Sequence, residues 1–158
     1  MTVRKFFGAM LIALLCCSPA THADTRESNE LVDMFAWWNE AFRTPGAFTE
    51  AAFRKYYTED TVMIINGAER MRGIPDLARH FQKMQLEADK VEIVLPFEES
   101  FRSGDKIFTY HLINARGAKD GPEERWLTMG WAQIRDGKIA LINFVNYLQP
   151  ADADGKAP

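Results

Sequence analysis

A carboxylate and a phenol brought together among apolar neighbours can move a proton, and Glu99 with Tyr110 forms such a pair in this chain. Gly104-Asp105 reads as a two-residue type II′ turn, which sets Phe101 opposite Phe108, Glu99 opposite Tyr110 and Phe97 opposite Leu112. Glu99 then shares a face with phenylalanines. Lost hydration raises a carboxyl pKa there, and a phenol hydrogen bond offsets part of the cost. The chemistry expected is acid-base catalysis by Glu99, with Tyr110 donating a hydrogen bond. The plainer reading is a strand-end carboxylate that reaches back to water.

Asn146 is the second polar residue among apolar ones. A two-residue turn at Asp136-Gly137 pairs Ile134 with Ile139, Trp131 with Ile142, Met129 with Phe144 and Leu127 with Asn146. Leu127, Met129, Trp131, Ile142 and Phe144 then form an apolar ligand-binding wall around one amide, which either orients a ligand or satisfies neighbouring backbone groups. The opposite face, with Thr128, Ala132, Leu141, Val145 and Ile113, is flatter and suits a dimer or partner surface. His111 points away from Glu99, beside Glu98, and reads as a solvated or interface residue. His80 reads as surface, and Trp37, Trp38 and Trp126 as core.

The elements that must hold these residues follow from periodicity. Ser28 or Asn29 can cap a helix with the stripe Leu31, Phe35, Trp38 and Phe42, stopped by Pro45-Gly46. A second helix is expected over about 49–57, through Ala52, Phe53 and Tyr56. Strands at 61–65 and 68–72 flank Asn66-Gly67, a type I′ hairpin signal. Pro75 suits the first turn of a third helix carrying Leu77, Phe81 and Met84. From Lys90 the period is two, with Val91, Ile93, Leu95, Phe97 and Phe101 on one face and a break at Pro96. Strands at about 106–116, 124–135 and 138–148 complete the domain. This order is an α+β pattern, a curved sheet wrapping three helices into a cone with an open end.

Residues 1–23 have the form of an export signal: Arg4 and Lys5, an apolar run from Phe6 to Cys17, and Thr21-His22-Ala23 before Asp24. The run of twelve rises only about 18 Å, short of the roughly 30 Å needed to span a bilayer. Leu15 and Cys16 poorly fill the small-residue position that a lipidated Cys16 or Cys17 would require. Removal of this signal takes the basic count from 19 to 17 against 22 acids, and takes both cysteines with it. No disulfide or thiol chemistry is expected in the remainder, 24–149 as one domain and 150–158 as a disordered tail. No basic cluster favours nucleic acid, no membrane contact is expected after signal removal, and no spacing of His80 and His111 suggests a metal or other cofactor.

Phe53 through Asp60 leading into a strand, Asn66-Gly67, Arg72-Gly73, Gly104-Asp105, and Asp136-Gly137-Lys138-Ile139 before Phe144-Val145-Asn146 resemble, in order and spacing, the SnoaL-like group of the nuclear transport factor 2-like superfamily. The resemblance covers about residues 28–149. It implies the same cone, often dimerised through the outer sheet face, in a superfamily with polyketide cyclases, ketosteroid isomerases and dehydratases. Where cyclase-like members carry a catalytic Asp, this chain has Asn146, which cannot accept a proton at neutral pH. Where the isomerase-like pattern needs a helical Tyr and a strand carboxylate, it has Trp37, Trp38 and Met63-Ile64-Ile65. The expected function is an exported domain that binds a small, largely apolar molecule. Alternatives are an isomerase, cyclase or lyase using Glu99, and a homodimeric interaction module.

Overall fold

The structure, a computed structural model, describes residues 28–150; the stretch expected to be an export signal, with both cysteines, and the expected tail beyond Pro150 lie outside the described residues. Asn29 opens α1 (Glu30–Arg43), its Oδ1 accepting from the backbone N–H of Leu31 and Val32 at 3.1 Å each. The expected stripe is buried: Leu31, Phe35, Trp38 and Phe42, with Met34 added. Helix α2 is a single turn, Glu50–Phe53, shorter than its apolar spacing predicts. Local propensity loses there to sheet pairing, because Tyr56 already accepts from the backbone N–H of Ile139 at 2.8 Å.

Strands β1 (Tyr57–Ile65) and β2 (Ala68–Arg72) form the predicted hairpin, with Asn66 and Gly67 at φ 53° and 76°. Helix α3 (Gly73–Glu87) lies on the sheet through Leu77, Ala78 and Phe81. Strands β3 (Lys90–Ile93), β4 (Glu99–Ser103), β5 (Lys106–Arg116), β6 (Glu124–Arg135) and β7 (Lys138–Leu148) follow. The sheet order is β2-β1-β7-β6-β5-β3, with β4 also on β5; β1 and β7 run parallel and the other pairs antiparallel. The α+β cone expected from the sequence is the observed architecture.

The helices close one end of the cone. Trp38, Phe48, Phe53 and Phe81 stack with ring centroids 5.5–5.8 Å apart. Each phenylalanine so buried contributes on the order of 2 kcal/mol. Asn39 ties α1 to the sheet edge, donating to Ile93 O at 2.8 Å and accepting from Ile93 N at 2.9 Å.

Two irregularities decide which side chains face inward. The turn at Asp136-Gly137 is the two-residue one expected, and Ile134 pairs with Ile139, but Gln133 pairs with Leu141. Ala140 is thus an extra residue, a bulge that moves every later pair by one. Ala132 pairs with Ile142, Gly130 with Phe144 and Thr128 with Asn146. Ile142, Phe144 and Asn146 keep the concave face, whereas Leu127, Met129 and Trp131 turn to the convex one. The second irregularity is at 94–98, where the edge strand breaks into β3 and β4. Phe97 is buried before it resumes, and Phe101 is 62% exposed after it.

Candidate functional site

The concave face leaves a cavity of about 640 Å³ between sheet, α1 and α3. Its buried walls include Phe35, Trp38, Tyr57, Phe81, Ile142 and Phe144, all under a tenth exposed. Half-buried Ile65, Met84, Val91, Ile113 and Trp126 form the more open part, with Asn66, Arg70 and His80 exposed at the rim. Among the described residues, no aspartate or glutamate lines this space.

The polar groups within it come from strand ends and from the centre of β5. Thr128 Oγ1 donates to Asn146 Oδ1 at 3.1 Å, and Asn146 N–H donates to Asn66 Oδ1 at 2.8 Å. His111 is wholly buried, its ring among Phe35, Phe97 and Phe144 at centroid distances of 5.0–5.6 Å. Its Nδ1 lies 3.1 Å from Thr109 Oγ1, and its Nε2 has no hydrogen-bond partner among the described residues. Which of Thr109 Oγ1 and Nδ1 donates follows from the imidazole tautomer, and in either tautomer Nε2 is left without a hydrogen bond to the described residues. Burial pushes the His111 pKa down to about 4, so the ring is neutral at neutral pH. Tyr57 donates to Met34 Sδ at 3.3 Å, and burial raises its phenol far above the ordinary value.

Glu99 does pair with Tyr110, and Phe101 with Phe108, as the turn at Gly104-Asp105 requires. Both members of the proposed catalytic pair are exposed on the convex face, away from Asn146. The shared interior expected for them is therefore corrected: parity was right and the side was reversed. Leu127, Met129 and Trp131 leave the ligand wall for the reason given by the Ala140 bulge, and Lys106 Nζ lies 4.4 Å above the Trp131 ring. Thr128, Ala132 and Ile113, expected on a partner surface, face inward instead. Of the expected wall, Ile142, Phe144 and Asn146 line the cavity.

Sequence reasoning missed His111, Trp126, Thr128 and Arg70. The signal for His111 was present in the alternation Ile107, Thr109, His111, Ile113, which runs continuously down one face of β5. Among the described residues, no three His, Cys, Asp or Glu side chains gather as a metal site would need, and no helix is long and apolar enough to cross a membrane.

Solved structures with this arrangement decide the fold. A protein of unknown function from an Exiguobacterium species, described as nuclear transport factor 2-like, superposes with a TM-score of 0.60 at 17% identity, over 77% of this chain and 98% of its own. The chain has the nuclear transport factor 2-like fold. A hypothetical protein with a ketosteroid isomerase-like fold from Catenulispora acidiphila, in complex with trimethylamine, gives 0.57 at 13% identity over 76% and 86% of the two chains. A putative SnoaL-like polyketide cyclase from a Jannaschia species gives 0.53 at 15% identity over 76% and 83%. No family model and no curated protein matches the sequence. At these identities the nuclear transport factor 2-like likeness establishes fold, and the side chains must argue function.

Proposed function

We propose that this chain is an exported binding domain that takes up a small, largely apolar molecule in its cone. The observation that carries this reading is the 640 Å³ space walled by Ile65, Met84, Val91, Ile113, Trp126 and Phe144. A space of that size falls within the range that encloses ligands. The trimethylamine complex and the putative polyketide cyclase of the same fold support small organic molecules as the class. Export rests on the leader-like residues 1–23. Glu99, on the other side of the sheet, has no part in this cavity.

The test is native mass spectrometry of protein purified from the periplasm, followed by a thermal-shift screen of apolar compounds. Ile113→Trp, which places an indole in the open part, is expected to weaken any ligand found by about tenfold or more. A screen without hits on protein free of bound mass would remove the reading.

We also propose a homodimer through the convex face, where Phe101, Met129, Val145 and Tyr147 are 62%, 48%, 54% and 56% exposed. Phe101 and Phe108 stack there at 4.9 Å. In sedimentation, the parent protein is expected to be dimeric at micromolar concentration and Val145→Asp monomeric. A parent that remains monomeric at high concentration would refute it.

A further inference from the structure

Arg70 stands apart at the cavity rim. In the β1–β2 hairpin, Met63 pairs with Met71 and Ile64 with Glu69, so Arg70 is the extra residue of a bulge. A bulge re-aims a side chain, and Arg70 lines the cavity beside Met71. Its neighbour Arg72 holds Glu69 through two hydrogen bonds, at 2.8 and 2.6 Å. Among the described residues, no carboxylate forms an ion pair with Arg70 and none lines the cavity.

The groups beside it are donors as well. A backbone N–H can only donate, so the Asn146 N–H contact fixes the Asn66 amide with its oxygen toward the sheet. The Asn66 NH₂ has no protein partner among the described residues. Asn146 Oδ1 accepts from Thr128, which leaves its NH₂ in the same condition. A guanidinium and two amide NH₂ groups thus line one largely apolar space whose described lining holds no carboxylate, in a chain whose net charge is −3. General charge would repel an anion; this rim is where one would be held.

Resting on the cavity reading above, we propose that the rim formed by Arg70, Asn66 and Asn146 is a carboxylate-binding site and that the ligand class is an apolar monocarboxylate. The guanidinium fork matches two carboxylate oxygens, and the amides supply the remaining donors. The apolar body lies against Ile65, Met84, Ile113 and Trp126.

The probes are 2-naphthoate and its neutral counterpart 2-naphthylmethanol, titrated calorimetrically into the parent protein, Arg70→Gln and Arg70→Lys. The parent is expected to bind the carboxylate about tenfold more tightly than the alcohol, with the preference shrinking as salt rises. Arg70→Gln should abolish the preference by lowering carboxylate affinity about tenfold relative to the alcohol, while Arg70→Lys keeps part of it. Arg70 is exposed, so both variants should retain the parent's circular dichroism. Equal binding of the two compounds by the parent, or undiminished carboxylate binding by Arg70→Gln, would overturn the proposal and leave the cavity reading standing. Binding of neither compound would overturn both.

Discussion

Gly130→Ala is expected to cost roughly 4 kcal/mol or more, enough to leave little folded protein. Gly130 lies in the middle of β6 at φ +151°, paired with Phe144. A Cβ there would lie 2.1 Å from the Asn143 carbonyl oxygen, 2.8 Å from Phe144 Cδ1 and 2.9 Å from Phe144 Cα. Two of those atoms are backbone of the neighbouring strand, so relief would require parting the β6–β7 ladder. The missing side chain lets Phe144 cross β6 and reach Phe35 and His111, with ring centroids at 6.4 and 5.6 Å. The glycine thereby shapes the cavity wall as well as the sheet. Urea unfolding of Gly130→Ala beside Gly67→Ala separates sterics from backbone preference. Gly67 also has positive φ but open space around it, and its replacement should cost only about 1 kcal/mol. A Gly130→Ala protein within about 1 kcal/mol of the parent would contradict the packing argument.

The same position explains where sequence reading stopped. The hairpin at Asn66-Gly67, the stripes of α1 and α3 and the extents of β5, β6 and β7 were legible, because turn chemistry and periodicity are local. Which side of the sheet is inside was not. The convex face carries Phe101, Phe108, Tyr110, Met129, Trp131 and Tyr147, and the concave face carries Thr109, Gly130, Ala132 and Thr128. Ranking faces by bulk and hydrophobicity therefore chose the wrong one. Small residues belong on the inner face of a tightly curved sheet, where helices and Phe144 must fit, and the bulky apolar residues of the convex face stay exposed. The Ala140 bulge compounded the error. Only the odd spacing of Ile139 and Ile142, both buried, could have announced it, and that spacing has no meaning until the face is known. Glu99 and Tyr110 went outward together because their own register was right.

His111 gives the second large expectation: acidification from pH 6.5 to about 4 should remove about 3 kcal/mol of stability through this residue alone. The ring is wholly buried among Phe35, Phe97 and Phe144, and among the described residues no charged group favours the imidazolium. Burial lowers its pKa from 6.5 to about 4 in the folded protein. Between those values the unfolded chain takes up a proton that the folded chain refuses, so stability is highest above 6.5, falls through this window and gains no further slope from His111 below it. His80, also lowered by burial and by Lys83 but exposed, contributes in the same direction. Asp60, held below its ordinary value of 3.8 first by Thr58 and then by Arg135, loses its contribution only at lower pH. Urea unfolding at intervals from pH 7 to 4 should therefore show a decline that His111→Phe largely removes and His80→Gln barely alters. A parent protein whose stability is flat across that range would mean that the imidazole is hydrated or already paired when folded. In that case Nε2 would not be the unsatisfied nitrogen that its surroundings of phenylalanine rings imply.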